Sequence, residues 1–474
     1  MDSSAGNGAS RIERDSLGDV EVPNDALYGA QTARAIRNFP ITGLRPHPTL
    51  VRATVLVKRA AAETNRDLEQ LDAERANAII AAAERVLAGE FLDHWRVDPI
   101  QAGAGTSHNM NTNEVLANLA NEALGGKRGE YKPVHPNDHV NMAQSTNDVF
   151  PTAMRIAGLM QLKELYPVLE RLQDALAAKG REFDRVIKSG RTHMQDAVPI
   201  RLGQEFTAYS VTIGKMRKKI ERAAESLLEL NIGATAAGTG LNSDPRYQKE
   251  VVAKLAELSG FPLQTAGHLV EMTQSQAAIA ETHGSLKLLA LELTRIANDL
   301  RLMSSGPQTG FAEIVLPPVQ PGSSIMPGKV NPVMAEMLNM ACFQVIGNDT
   351  TITMAVQAGQ LELNVMMPVM AFDLLMSIDI LKNAVGVFIE YCIEGITANV
   401  ERCQELVENS MGLATALNPY IGYSAAAKVT QESFKTGKPI RQVVQEMGIM
   451  SDEELDRVLD PVAMTEPGIP GKQH

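Results

Sequence analysis

The sequence predicts a mainly α-helical protein organised around a central bundle of long helices. Apolar residues recur at helical spacing over five long stretches, 151–179, 202–230, 273–304, 333–356 and 361–395. Helices of this length are uncommon outside coiled coils and extended bundles. Aromatic residues make up only 4% of the chain while methionine occurs 22 times, which favours aliphatic cores packed between helices.

The chain of 474 residues exceeds a single ordinary core, and its pattern predicts three domains. Residues 1–144 begin with a polar tail and turn-rich segments and continue with helical patterns near 50–70 and 73–89, so we expect a mixed, mostly helical domain. Residues 145–398 carry the long helices. From 399 to 474, glycine and proline divide the pattern into short helices, which predicts a small C-terminal helical domain.

Composition argues against several classes of function. A net charge of −12 and a pI near 5.4 disfavour nucleic acid as a partner. Three cysteines without metal-ligand spacing are typical of a reduced intracellular protein, and no apolar signal segment is visible, so we expect a cytoplasmic location. The apolar segment from Met366 to Ile389 is interrupted by charged residues, which predicts a buried helix and no association with a membrane.

The most informative stretch is the loop from Gly322 to Pro332, which contains two hydroxyls, a lysine and an asparagine and is punctuated by two glycines. Asn331 is a suitable N-cap and Pro332 fits the first helical position, so a helix is expected from Val333. The positive end of that helix, beside Lys329, suits an anion. The spacing excludes a phosphate-binding P-loop, and an ordinary surface loop before a capped helix is the alternative.

Three further polar stretches interrupt the helical pattern. Residues 103–114 are predicted to form a loop before a helix that begins near Glu114, and residues 144–148 carry more polar side chains than a helix cap needs. Residues 190–199 contain His193, whose side chain suits proton transfer near neutral pH. A histidine satisfied by structural hydrogen bonds is the alternative for His193.

Together these stretches resemble the motifs of the aspartase/fumarase superfamily, and the resemblance runs from about Arg11 to about Pro461. Members of this superfamily cleave C–N or C–O bonds by β-elimination and release fumarate. The resemblance therefore implies a small dicarboxylate substrate, no cofactor and no assigned metal. It also implies a homotetramer in which the long helices form a multi-subunit core and each active site combines residues from different chains.

The resemblance also implies a role for individual residues. Ser323 would be the base, its oxyanion stabilised by Lys329 and nearby backbone N–H groups, and His193 would be a second catalytic group. The residues that would bind the α-carboxylate are Thr192, Lys329 and Asn331. Those that would bind the β-carboxylate are Ser145, Thr146, Ser323 and Ser324. Those around the leaving group would be Thr106, Asn147 and His193. Possible supporting residues are Glu336 and Arg34, each of which has an ordinary helix-end or ion-pair alternative.

The motifs resemble the aspartase branch more than the fumarase branch, chiefly through Ser145-Thr146-Asn147-Asp148 and the run from Gly359 to Val365. The expected reaction is therefore the reversible elimination of ammonia from L-aspartate to give fumarate. A fumarase is the close alternative, and a non-catalytic structural relative is the more distant one. His108 departs from the small or apolar residue expected at its position.

Overall fold

The computed structural model describes residues 9–472, which are mainly helical, as the sequence predicts. In the N-terminal part the helices are α1 (Ala30–Asn38), α2 (Pro48–Asp67), α3 (Ala73–Leu87) and α4 (Thr106–Ala123). The following helices are α5 (Thr146–Glu182), α6 (Leu202–Ala224), α7 (Tyr247–Ser259), α8 (Leu269–Gln274), α9 (Ala277–Met303), α10 (Val333–Gln357) and α11 (Met367–Phe388). The last helices are α12 (Val400–Glu408), α13 (Asn418–Ile421), α14 (Tyr423–Thr436), α15 (Ile440–Glu446) and α16 (Asp452–Val458).

The strands form small two-stranded ribbons. They are β1 (Ser10–Asp15), β2 (Gly18–Pro23), β3 (Ile187–Thr192), β4 (Gln195–Arg201), β5 (Glu229–Leu230), β6 (Gln264–Thr265), β7 (Ile314–Val315) and β8 (Thr397–Ala398). Three pairs, β1 with β2, β3 with β4 and β7 with β8, are antiparallel, and β5 pairs with β6 in parallel. The β3–β4 hairpin is interrupted by a register shift between Ser189 and Arg191.

Two helices begin earlier in the chain than predicted. Helix α4 begins at Thr106 and not near Glu114, and α5 begins at Thr146 and not at Pro151. After Thr106, the polar side chains in the first turns of α4 are buried, and several have partners: the indole N–H of Trp95 donates to Thr112 over 2.9 Å, and the backbone N–H of Arg96 donates to Asn111. A polar run can therefore be helical when other segments satisfy it.

The described chain groups into two compact units. Within the described residues, the first contains 9–166, 218–290 and 343–381, and the second contains 167–217, 291–342 and 382–472. Every boundary falls inside one of the long helices α5, α6, α9, α10 and α11. The division into 1–144, 145–398 and 399–474 stays a prediction.

Each unit has its own apolar core. In the first unit, Val55, Ile79, Trp95 and Leu116 are buried between α2, α3 and α4. In the second unit, the short C-terminal helices bury a cluster that includes Leu417, Val429 and Leu455. These cores hold in place the helix ends and loops described below.

Within the first unit, a buried polar chain links three of the long helices. His283 of α9 is fully buried, with Nδ1 3.0 Å from Asp349 Oδ1 of α10 and Nε2 2.9 Å from Ser377 Oγ of α11. The Asn348 amide also donates to Ser377. The order Ser–His–Asp is that of a hydrolase triad. Because His283 and Ser377 are fully buried, these hydrogen-bonded side chains fix the positions of the helices and do not contact a substrate.

Helix α11, which covers most of the apolar segment from Met366 to Ile389, buries Leu374, Leu375, Ile378, Leu381 and Val385. Within residues 9–472, no helix is both long enough and apolar enough to cross a membrane.

Candidate active site

In the first unit, the candidate substrate residues lie at the start of α5. Ser145 Oγ accepts the Asn147 backbone N–H over 3.2 Å, and Asp148 Oδ1 accepts the Ser145 backbone N–H over 2.9 Å. This reciprocal cap fixes the first turn of α5. Thr146 and Asn147 follow directly, and the Asn147 amide donates to the Ala236 carbonyl over 2.7 Å. The cap therefore sets the positions of Ser145, Thr146 and Asn147 together.

Asp148 holds this turn against the loop that follows β5. Its Oδ2 accepts the backbone N–H groups of Gly233 and Thr235 over 3.0 and 2.9 Å, and its side chain is fully buried. Burial raises the pKa of Asp148 to about 7, although the N–H donors and the Lys58 charge favour the ionised form. Asp148 is thus the fixed point shared by the start of α5 and the loop around Gly233.

The first turns of α4 reach the same place. Gly105, with φ of 87°, allows the chain to enter α4 beside Phe150, where a Cβ would lie 2.2 Å from the ring. Thr106 is exposed at the first position of α4. One turn later, Asn109 Nδ2 donates to Thr146 Oγ1 over 3.1 Å. The structure therefore brings the first turns of α4 to Thr146.

A buried lysine that the sequence analysis did not single out lies behind this turn. Lys58 of α2 is fully buried, and its ammonium donates to Asn141 Oδ1 over 2.8 Å and to Gln144 Oε1 over 2.9 Å. Burial lowers the pKa of Lys58 to about 7, and the Asp148 charge opposes this shift. The available signal was a single lysine after the apolar run Val55-Leu56-Val57, which alone does not identify its partners.

His108 is a buried residue that helps to hold α4 in position behind the site. It is fully buried on α4, with Nε2 2.9 Å from Thr54 Oγ1 and its ring edge-on to Phe150. Burial, with a smaller contribution from the Lys58 charge, lowers the pKa of His108 to about 3, so the imidazole is neutral at physiological pH.

In the second unit, Thr192 and His193 lie at the tip of the β3–β4 hairpin. Thr192 pairs with Gln195, so His193 and Met194 form a two-residue turn, and both have positive φ, 53° and 60°. Such turns favour Asn and Gly, so this pair is strained, and strain of this kind concentrates at functional positions. Both Thr192 and His193 are exposed. An open groove of about 760 Å³ lies beside the tip, between Met194, Asp196 and α14.

The loop before α10 closes on itself. The Gly322 N–H donates to the Lys329 carbonyl over 2.9 Å, and the Asn331 side-chain amide donates to the Gly322 carbonyl. A Cβ on Gly322 would lie 2.3 Å from the Lys329 carbonyl oxygen, so this closure requires glycine. Helix α10 begins at Val333 as predicted, and Glu336 lies in its first turn.

Inside this loop, Ser323 Oγ accepts two backbone N–H groups, from Ile325 over 3.2 Å and from Met326 over 2.9 Å. Ser323 is half-buried, while Ser324 and Lys329 are exposed. Backbone N–H donors aimed at a hydroxyl oxygen would also stabilise that oxygen as an anion.

The candidate residues therefore fall into two groups. Thr106, Ser145, Thr146 and Asn147 belong to the first unit. The second-unit group consists of Thr192, His193, Ser323, Ser324, Lys329, Asn331 and Glu336. Arg34, in the first unit, makes a bidentate ion pair with Asp15 over 2.7 and 2.9 Å, which occupies its guanidinium. Among residues 9–472, no group of three or more histidine, cysteine or acidic side chains is placed to hold a metal ion.

Comparison with known proteins shows a full-length likeness to lyases. The family described as Lyase matches residues 18–347, and the family described as Fumarase C C-terminus matches residues 413–466. Aspartate ammonia-lyase of Bacillus subtilis (strain 168) is 52% identical over 463 residues, which is 98% of each chain.

Two solved structures share the fold. A fumarate lyase:delta crystallin from Brucella melitensis, bound to cobalt, is 47% identical with a TM-score of 0.94, and the match covers 97% of this chain and 100% of that one. A class II fumarase from Schistosoma mansoni is 37% identical with the same TM-score of 0.94 and the same coverage, 97% and 100%.

We expect His108 to reduce stability in mild acid. Its pKa of about 3 in the folded chain lies below the ordinary value of 6.5, so between these values the unfolded chain binds the extra proton. The free energy of unfolding therefore falls as pH decreases below 6.5. Between pH 6.5 and 5.5 it should fall by roughly 1 kcal/mol less in His108→Gln than in the wild type. Urea unfolding at both pH values measures this difference, and equal losses in the two proteins would contradict the expectation.

Proposed function

The chain belongs to the lyase family of the aspartases and fumarases, and from this membership we propose that it is an aspartate ammonia-lyase, a carbon–nitrogen lyase that reversibly converts L-aspartate to fumarate and ammonia. The observation that carries the proposal is the full-length likeness to the Bacillus subtilis aspartate ammonia-lyase, which exceeds the likeness to the class II fumarase. The Ser145-Thr146-Asn147-Asp148 motif at the start of α5 supports the same assignment.

The chemistry requires donors directed at a carboxylate. Removing a proton from the carbon beside a carboxylate places a second negative charge on that carboxylate, and each preorganised donor that meets this charge is typically worth about 2.7–4 kcal/mol. We assign the β-carboxylate to Ser145, Thr146, Ser323 and Ser324. Thr192, Lys329 and Asn331 would hold the α-carboxylate. The reciprocal cap at Ser145 and Asp148 supports this assignment, because it positions two of the hydroxyls before a substrate arrives.

We assign the base to Ser323. A serine hydroxyl is a weak base unless its anion is stabilised. The two backbone N–H groups that already donate to Ser323 Oγ support this role, and Lys329 of the same loop supplies a positive charge. Ser324 and Lys329 are exposed, so closure of the glycine-flanked loop over bound substrate would exclude water and complete the site.

The leaving amine would contact Thr106, Asn147 and His193. The amide of Asn147 and the hydroxyl of Thr106 can accept hydrogen bonds from an amine, and the imidazole of His193 can exchange a proton with that amine. The strained backbone at His193 supports a functional reason for its position at the hairpin tip.

We further propose a homotetramer whose sites combine residues of different chains. Along α10, Met340, Phe343 and Met354 share one face and are 57–64% exposed, and α9 exposes Leu288, Leu291 and Leu302 at the same spacing. Apolar faces of this length on a single chain mark an interface with other chains. The division of the candidate residues between two units is compatible with shared sites.

The reaction itself is tested by following fumarate absorbance with L-aspartate and, separately, with malate. We expect turnover of aspartate and strong preference over malate, because a pocket built to bind one polar leaving group leaves its partners unpaired with another. Hydration of fumarate at a rate that matches its amination would identify a fumarase. No turnover of either substrate would identify a non-catalytic relative.

The base is tested by Ser323→Ala. We expect kcat for aspartate to fall by about 10²–10⁴ with little change in KM, since a general base acts in the chemical step. Ser451→Ala is a matched control, because Ser451 also accepts a backbone N–H at a turn but lies in the capping box of α16. It should keep the wild-type kcat. A correctly assembled Ser323→Ala enzyme within a few-fold of the wild type would rule out the assignment.

Shared sites are tested by refolding together two impaired variants, Ser323→Ala and Thr146→Val, and assaying at an aspartate concentration at which each alone has little activity. If a site takes these residues from different chains, about a quarter of the sites in a random equal mixture contain both wild-type residues, and activity returns. A mixture of Ser323→Ala and Lys329→Ala is the control, because both changes lie in one loop and no site can recover both. Equal, negligible activity in the two mixtures would show that each site belongs to one chain.

A further inference from the structure

We propose that Lys58 is a positioning residue of the substrate site, which acts through Asn141 and Asn109 to direct the hydroxyl proton of Thr146 toward a bound carboxylate. This inference rests on the proposed function, since it requires Thr146 to bind a dicarboxylate. Lys58 is fully buried beneath the turn that carries Thr146, so it contacts protein amides and acts on the substrate only through them.

The direction of each hydrogen bond follows from the protonated form of the lysine. Below its pKa of about 7, Lys58 is an ammonium group with three donors and no acceptor, so Asn141 presents its oxygen to Lys58, at 2.8 Å. The same oxygen accepts Asn109 Nδ2 at 3.2 Å, which fixes the Asn109 amide with its nitrogen toward Asn141. That nitrogen also donates to Thr146 Oγ1 at 3.1 Å. Thr146 therefore accepts on this side, and its own proton is left to donate elsewhere.

Neighbouring contacts agree with this polarity. Gln144 also turns its oxygen to Lys58, at 2.9 Å, and its nitrogen donates to the carbonyls of Val140 and Met142. Asn113 Nδ2 is a further donor to Asn141 Oδ1, at 3.2 Å. Without an obligate donor at position 58, the Asn141 amide could turn over and the Asn109 amide could follow it. The orientation of the Thr146 hydroxyl would then no longer be fixed.

The buried charge of Lys58 also favours a role in binding the substrate carboxylate. Its ammonium donates to two amide oxygens, and the counter-charge that acts on it is that of Asp148, which opposes the lowering of its pKa. A buried cation is expensive to keep, and such groups concentrate at functional sites. The lowered pKa of Lys58 reflects this burial. A substrate carboxylate at Thr146 would bring a negative charge toward the buried cation.

The test is a double-mutant cycle on the binding of succinate, a saturated dicarboxylate that cannot undergo the elimination, measured by calorimetry with the assembled enzyme. Lys58→Met removes the charge and the donors at nearly constant length, and Thr146→Val removes the hydroxyl. We expect each change alone to weaken the succinate Kd by at least about tenfold. If Lys58 acts through Thr146, the double variant should bind within about threefold of Thr146→Val alone, since the two losses are not independent.

Lys179→Met is the matched control. Lys179 is also buried, but it donates to Glu182 and to the Ile396 carbonyl near the other end of α5. Its removal should leave the succinate Kd within about twofold of the wild type. A general loss of stability from removing a buried lysine would affect both variants alike.

The remaining outcomes overturn the proposal. Wild-type affinity in Lys58→Met, or losses that multiply in the double variant, would show that Lys58 does not act through Thr146. If Lys58→Met does not fold, Asn109→Ala replaces it in the same cycle, because it removes the link to Thr146 and leaves the Lys58 contacts in place. If the wild type converts aspartate but the losses of succinate affinity in the double-mutant cycle are additive, only this inference is refuted. A wild-type protein that neither binds succinate nor converts aspartate refutes the proposed function as well.

Discussion

The pairing of the buried Asp148 carboxylate determines the start of α5, and the candidate substrate residues at this helix end depend on it. Asp148 meets this requirement with three backbone N–H groups, from Ser145, Gly233 and Thr235. Burial disfavours the ionised form of Asp148. The three N–H donors therefore stabilise this carboxylate more than they would stabilise an exposed helix cap. Because the same carboxylate caps the helix and anchors the loop around Gly233, the turn with Thr146 and Asn147 cannot shift without breaking buried hydrogen bonds.

Local sequence patterns predicted the long helices because periodic burial is visible along the chain. The start of α10 at Val333 agrees with the structure to the residue. The same reasoning placed the start of α4 too late. Asn111 and Thr112 look like loop residues until Arg96 and Trp95 are known to be their partners, and nothing local in the sequence identifies those partners.

Most of the candidate site residues could be named from sequence because they stand in dense polar motifs at helix ends. Lys58 could not be named in this way. Its partners Asn141 and Gln144 lie 83 and 86 residues away, and its own neighbours Val55 and Leu56 indicate only a buried helix face. A buried charge becomes informative once its contacts are known, because only then can a structural ion pair be told apart from a charge that serves a site.

The two groups of candidate residues differ in how firmly they are held, and this difference suits the proposed reaction. Thr146 accepts a hydrogen bond from the buried Asn109 amide, which Asn141 and the Lys58 ammonium orient, so its geometry is set before binding. Ser323 lies in a loop closed by a few hydrogen bonds, and Lys329 of that loop is exposed. In the proposed reaction, residues that are fixed before binding would place the carboxylate, and an adaptable loop would bring the base to the carbon after water has been excluded. Stabilising the loop in one position would therefore hinder either substrate entry or proton abstraction, whereas loosening the amide chain would weaken binding without gain.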